Sequence, residues 1–348
     1  MSGFDSIIDQ DRPIRILTTL LQNGTIPHAL LLTGIEGVGK ENAAIAFAAS
    51  CNCRGERDGH LSGQETIRAP DGRFTALDPM PTAPCGGCKA CRKIESGNHP
   101  DIIRIEPSGA FIKIDQIRSL RQILAMKPYE ARIRVVIISD AQAMNPQAGN
   151  ALLKVLEEPP EKTILILLAT QRADLLPTIV SRCQHIRFNP ISRNNLESLL
   201  IRKYELPPQT AMIITPMANG SLSRALTMYR SGWIHRRNWL INELNSLSSM
   251  PLSRLLAFGE QISRDKDFLT EACDIMTSWY RDLIVGKFYP EKIVNQDLSD
   301  NVQQTAQKMD LAVLLSKIDI IQSTAQAMRV GTNLRLAMES MLLKLARV

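Results

Sequence analysis

The chain has 348 residues, 44% of them hydrophobic and 22% charged, close to ordinary globular usage, which excludes a disordered or fibrous polypeptide. At about 150 residues per domain this length predicts two to three domains. No apolar run approaches the ~18 residues of a membrane span, and the opening MSGFDSIIDQ lacks the basic-then-apolar pattern of an export signal, so the protein is expected in the cytoplasm.

In chain order, apolar runs and amphipathic stretches alternate from Ile26 to about Phe188. The pattern predicts strands over His28–Thr33, Asp101–Ile105, Val135–Ser139, Thr163–Ala169 and Gln184–Phe188. Helices are predicted between them over Lys40–Ser50, Asp115–Ala125 and Pro146–Glu157. Ile114, Ile117, Leu120 and Leu124 recur at three- and four-residue steps, as do Ala148, Ala151, Leu152 and Val155, and Pro159-Pro160 stops the latter helix. Five strands alternating with helices make a parallel sheet covered on both faces, an α/β fold. Residues 54–84, rich in Gly, Pro and charge without apolar periodicity, read as an exposed insertion.

Beyond Asn189-Pro190 the strand signals fade. Helices over Arg193–Tyr204 and Ser221–Tyr229 suggest a small second domain. Helices over Trp233–Leu247, Pro251–Ile262, Phe268–Val285, Leu311–Met328 and Asn333–Leu345 suggest an all-helical third. The boundaries drawn are 1–190, with a cysteine module at 51–97, then 191–231 and 232–348. The net charge is +6. From Gly232 onward 14 basic and 13 acidic residues nearly cancel, so any anion-binding face belongs to the first 231 residues.

Seven cysteines, at 51, 53, 85, 88, 91, 183 and 273, are an odd number in a chain expected in a reducing compartment, and disulfides are not expected. Cys85, Cys88 and Cys91 form C-x2-C-x2-C, which is metal-ligand spacing.

Gly34-Ile-Glu-Gly37-Val-Gly39-Lys40 follows a predicted strand and opens a predicted helix, the context a phosphate loop requires. Backbone N–H groups of such a loop curl around phosphate oxygens, the helix N-terminus adds positive potential, and Lys40 reaches the outer phosphates. The next residue is Glu41, where the motif has the hydroxyl that holds Mg²⁺. The strand ending at Ser139 is followed by Asp140-Ala141, where ATPases of this kind place Asp-Glu, the acid for the metal and the base for water. Two catalytic positions are thus vacated. The residues leave two readings of the loop, retained ATP binding and an inherited strand-to-helix turn, and two of Asp140, a metal-binding acid and a polar strand end.

Ala151-Leu-Leu-Lys-Val-Leu-Glu-Glu-Pro-Pro160, Leu168-Ala-Thr170 and Ser181-Arg-Cys183, in this order and spacing, resemble the clamp-loader branch of the AAA+ ATPases. Within that branch the chain is similar to the delta-prime family of bacterial DNA polymerase III. The likeness runs nearly end to end, from Ile26-Pro-His-Ala29 through Gly220-Ser-Leu-Ser-Arg224-Ala-Leu226 to Asn333–Leu345. It implies an AAA+ domain with an inserted zinc module, a helical lid and a helical collar. Residue by residue, Arg182 matches the arginine finger offered to a neighbour's ATP, Thr170 the first sensor and Arg224 the second. Without that context Arg182 would read as a surface arginine paired with a carboxylate, Arg224 as a helix-surface residue and Thr170 as a strand hydroxyl. Glu41 and Ala141 depart from the motor subunits and agree with the non-hydrolysing family.

The resemblance also places a first cysteine ligand about eight residues ahead of the triplet. Here Cys53 stands at that position with 31 residues between it and Cys85, and Cys51 competes for the role. Lengthening the loop costs only about 1.2 kcal/mol of closure entropy, against about 10–16 kcal/mol for structural zinc. Four thiolates leave no open position for water, so Cys53, Cys85, Cys88 and Cys91 would hold zinc structurally. His60 and His99 are alternative fourth ligands, with His99 also readable as a turn residue.

The partners implied are the gamma/tau motor and delta subunits, the sliding clamp, and the backbone of primer-template DNA, with no membrane. The function expected is that of a subunit which helps load the clamp in replication without burning ATP, nucleotide binding being left open. Two other readings stand beside it. One is an autonomous ATPase motor of gamma/tau type. The other is a zinc-dependent sequence reader, which a missing recognition helix of finger type disfavours.

Overall fold

The computed structural model describes residues 3–55, 66–68, 74–76, 80–329 and 332–347. They fall into two compact units, one built from the chain up to Leu196 together with Gly220–Arg224, the other from Glu197–Asn219 and the chain from Ala225 onward.

The first unit opens with helix α1 (Asp11–Asn23), an element additional to the strands and helices expected from Ile26 onward. Leu17 and Leu21 on one face are buried, with Ile14 and Leu20 packed beside them. There follow β1 (Thr25–Ile26), β2 (Ala29–Thr33), α2 (Lys40–Asn52), β3 (Thr66–Arg68), β4 (Phe74–Ala76) and α3 (Lys89–Glu95). The alternation then runs β5 (Ile102–Ile105), α4 (Ile114–Leu124), β6 (Arg134–Ile138), α5 (Pro146–Glu157), β7 (Thr163–Ala169), α6 (Pro177–Val180) and β8 (Gln184–Arg187). The expected strands and helices lie within one or two residues of their predicted bounds.

The parallel five-stranded sheet is present, in the order β5-β6-β7-β2-β8. Side chains alternate across it. Ile164, Ile166 and Leu168 of β7 join α1 and α2 in one core, while Leu165, Leu167 and Ala169 join α4 and α5 in the other. All seven residues of β7 are buried, as a central strand covered by helices on both faces requires. Each such Leu or Ile contributes about 1.5–3 kcal/mol on removal from water.

Residues 54–84 hold more order than their composition suggests. β3 and β4 pair antiparallel, and β4 pairs with β1, making a second, three-stranded sheet that ties the excursion back to the main body. Positions 56–65, 69–73 and 77–79, with His60 among them, lie outside the described residues.

Helices α7 (Arg193–Tyr204), α8 (Pro208–Met217) and α9 (Leu222–Arg230) follow, the first and third starting in the first unit and ending in the second. The rest of the second unit is α10 (Trp233–Asn245), α11 (Leu252–Ser263), α12 (Lys266–Phe288), α13 (Ser299–Gln307), α14 (Leu311–Arg329) and α15 (Leu334–Arg347). Trp279, Tyr280, Leu283, Met338, Met341 and Leu342 form its core. A buried polar staple closes the connection after α12: Asp282 accepts the backbone N–H groups of Val294 and Asn295, and Arg237 donates to Asn295 Oδ1 and Asp297 Oδ1. No helix among the described residues is long and apolar enough to cross a membrane.

Candidate functional site

The carboxyl ends of β2, β6 and β7 lie side by side, which is where parallel sheets of this type bind ligands. β2 delivers Gly34–Lys40, β6 delivers Asp140, and β7 delivers Thr170. The three are joined by hydrogen bonds. Gly34 N–H donates to Ala169 O (3.2 Å) and Thr170 O (3.1 Å), Thr170 N–H donates to Gln142 Oε1 (3.3 Å), and Gln142 Nε2 donates to Asp140 Oδ1 (3.1 Å). Two loop glycines are obligatory. Gly34 has φ +150° and a Cβ there would stand 2.7 Å from Phe188 O. Gly37 has φ +76° and a Cβ would stand 2.4 Å from Ser223 Oγ and 2.5 Å from Ser223 N.

Lys40 opens α2 and turns back on the loop, donating from Nζ to Gly34 O (2.5 Å) and Ile35 O (2.8 Å). Burial lowers its pKa, opposed by the carboxylates of Asp140 and Glu36. The loop is also covered by its own chain. Leu222 N–H donates to Gly37 O (3.2 Å), and Ser223 Oγ donates to Glu36 Oε1 (3.4 Å). Arg224 therefore lies in the first turn of α9, close to the loop, with its N–H on Ser221 Oγ at 3.1 Å and its side chain exposed.

The two altered positions are accommodated differently. Glu41, half exposed in the first turn of α2, lies 3.6 Å from Arg104 Nη1 on β5, where the helix N-terminus also favours a carboxylate. Ala141 is fully buried and belongs to the core with Ile138, Leu167 and Ala169. Arg104, Ser221 and Ser223 were not among the residues expected at the site. A serine ahead of a helix is a capping signal that could have flagged Ser221, whereas nothing local marks Arg104 as the partner of Glu41.

Arg182 follows α6. Its Nη2 donates to Glu157 Oε1 at 2.9 Å and its Nη1 to Thr178 O at 3.0 Å, and the side chain is 36% exposed. An exposed pair of this kind contributes about 0–1 kcal/mol, so the guanidinium exchanges partners at little cost. Cys183 beside it is half-buried, and burial pushes its thiol up to about 12.

The cysteine cluster is the most complete constellation. Cys53 at the end of α2, Cys85, Cys88 and Cys91 bring their sulfurs within 4.8 Å of one another. Cys85 and Cys91 sulfurs lie 4.0 Å apart, close to the ~3.8 Å edge of a tetrahedron with metal–sulfur bonds of about 2.3 Å. Backbone N–H groups support the sulfurs: Cys85 N–H donates to Cys53 Sγ (3.3 Å), Cys88 N–H to Cys85 Sγ (3.3 Å) and Cys91 N–H to Cys88 Sγ (3.5 Å). Burial pushes the Cys88 thiol up, but the N–H groups of Cys91 and Arg54, with the neighbouring thiols, outweigh it and bring the pKa down to about 7. Burial raises Cys53 and Cys91. The four side chains could hold a metal ion. Cys51 points elsewhere, fully buried in the core at the end of α2. His99 is buried in the turn before β5 and is not one of the four.

Comparison with known proteins adds the following. The family model described as "DNA polymerase III, delta subunit" matches residues 9–73 and 72–192, and "DNA polymerase III, delta subunit, C terminal" matches 231–347. The chain is 27% identical to DNA polymerase III subunit delta' of Bacillus subtilis, over 97% of this chain and 96% of that protein. It is 32% identical to subunit delta' of Pseudomonas aeruginosa over 63% of this chain and 61% of that one. It is 24% identical to subunit tau of Bacillus subtilis over 99% of this chain and 61% of that one.

Proposed function

From the premise that this chain belongs to the DNA polymerase III delta-subunit family of clamp-loader proteins, we propose that it works there as a subunit that does not hydrolyse ATP and instead lends Arg182 to a neighbour's ATP site. In this reading residues 191–231 are a lid and 232–348 a collar for assembly with motor (gamma/tau) and delta subunits. The complex acts on the sliding clamp and on the backbone of primer-template DNA. Zinc in the Cys53–Cys85–Cys88–Cys91 cluster holds the module together, with no open position for chemistry.

The observation that carries the proposal is the fate of the two catalytic positions. Glu41 is engaged with Arg104 and Ala141 is buried, so neither a magnesium-holding hydroxyl nor a base for water stands at the loop. Lys40 is held on the loop's own carbonyls, and the segment Ser221–Arg224 covers Gly37. Arg182, by contrast, has its charge at the surface on a weak partner. A guanidinium delivered to a γ-phosphate is worth roughly 10³–10⁵ in rate. Replacing Arg182 by Ala in the reconstituted loader is expected to lower its clamp- and DNA-stimulated ATPase by about 10³; an unchanged rate removes the finger.

A second reading, an autonomous motor, is favoured by the similarity to a tau subunit over 99% of this chain and 61% of that protein, and by the juxtaposition of Lys40 with Asp140. Phosphate release by the isolated chain, abolished in Lys40→Ala, would establish it.

A further inference from the structure

A cavity of about 270 Å³ lies between the cysteine segment and the turn ahead of β6, apart from the phosphate loop. Arg54, Lys89, Lys93 and Arg132 line it, with His99 and Glu130. His99 is 4% exposed, and its Nδ1 accepts the Asp101 N–H at 3.2 Å. The ring proton is therefore on Nε2, which makes that nitrogen a donor. Nε2 stands 4.0 Å from Glu130 Oε1, beyond hydrogen-bond reach. Glu130 Oε1 already accepts from Lys93 Nζ at 2.5 Å.

The wall is thus rich in donors and poor in acceptors. A divalent ion on four thiolates would add two net negative charges and Glu130 adds one, set against the positive side chains of Arg54, Lys89, Lys93 and Arg132 in the lining. The volume admits one tetrahedral oxyanion with a few waters at about 30 Å³ each.

We propose that this cavity is an oxyanion site that takes a single phosphate group, either free phosphate or the terminal phosphate of a nucleic acid. Neither the clamp-loader reading nor the phosphate loop enters this argument, so the two succeed or fail separately.

The test is calorimetric titration of the full chain, carrying its metal, with inorganic phosphate at low salt. One saturable site is expected, unchanged in Lys40→Ala and at least about tenfold weaker in the double variant Arg54→Gln/Lys89→Gln, a loss of about 1.4 kcal/mol. An oligonucleotide with a terminal phosphate that competes, where the same oligonucleotide with a terminal hydroxyl does not, assigns the source to nucleic acid ends; failure of both to compete assigns it to free phosphate. Absence of saturable binding overturns the site, as does binding that is lost in Lys40→Ala and kept in the double variant. If the double variant sheds its metal, Glu130→Gln decides, because it removes the competing carboxylate and touches no cysteine. Tighter phosphate binding is then expected, and unchanged or weaker binding overturns the proposal. Metal loss in the double variant from a parent that never bound phosphate shows that the cations only offset the cluster's charge, which also overturns it.

Discussion

The phosphate loop and the cysteine cluster are opposite cases of how a motif relates to a site. The loop is contiguous in sequence, yet the structure closes it on itself: Lys40 bonds the loop's own carbonyls, Ser223 presses on Gly37, and Glu41 faces Arg104. The cysteines are interrupted by 31 residues, yet their sulfurs converge with backbone N–H groups aimed at three of them. Local spacing therefore reports where a site can be. Whether it is chemically complete depends on partners from distant parts of the chain.

Breaking the cluster should have the largest effect. Cys88→Ser removes a quarter of a four-thiolate set of the kind that binds structural zinc with an apparent free energy of about 10–16 kcal/mol. The wild-type chain is expected to retain about one zinc per chain through purification without chelator and the variant none, by elemental analysis. A wild-type chain without stoichiometric metal would end the contrast.

Next comes the buried acid beside the module. Asp101 accepts the N–H groups of Tyr129, Glu130 and Ala131 and lies 3.4 Å from Arg134 Nη2, both side chains being almost wholly buried. Asp101→Asn leaves that guanidinium without its counter-charge and should cost about 3–5 kcal/mol in urea unfolding. A loss below ~1 kcal/mol would show that the carboxylate is dispensable.

Gly37→Ala sharpens the comparison from the loop side. A methyl group there meets Ser223 backbone in a left-handed conformation, so a destabilisation of about 1–3 kcal/mol is expected. It should come with faster amide exchange at Leu222, whose N–H bonds Gly37 O. Unchanged exchange would mean that the cover does not depend on the glycine.

Acidification gives the smallest effect. Burial holds the His99 pKa below its ordinary 6.5, with Glu130 and Asp101 opposing. The unfolded chain binds this proton first, so the contribution is full above pH 6.5 and fades as the pH falls toward the lowered folded value. Burial tends to raise Asp101, but the N–H groups of Glu130, Tyr129 and Ala131, with Arg134, hold it below 3.8. Its contribution is lost only under stronger acid. Stability against pH should thus fall in two stages, and His99→Gln should shrink the first, the remainder belonging to His185, whose pKa burial and the charges of Arg172 and Arg187 also lower; a first stage unchanged in His99→Gln counts against buried neutral His99.

Much of the scaffold was legible because burial leaves a periodic record. β7 is apolar from Ile164 to Leu168, and α5 runs from Pro146 to the Glu157 that precedes the prolines, as read. Helix α1 carries the same kind of signal in Ile14, Leu17, Leu20 and Leu21, ahead of the alternating strands and helices. The strands inside residues 54–84 left little signal, since three-residue segments are too short to establish a period. At the sites, the loop glycines and the four cysteines were nameable from type and spacing. Arg104 opposite Glu41, and Ser223 over Gly37, were not, because they meet across 63 and 186 positions of chain and only folding brings them together.

The burial of Ala141 limits what a substitution there can install. Its methyl group belongs to the core that also holds Ile138 and Leu167, so Ala141→Glu would bring a carboxylate to an apolar interior, at several kcal/mol unless it is paired or protonated. A base for water cannot be added at this position without repacking the neighbours that now close over the methyl group.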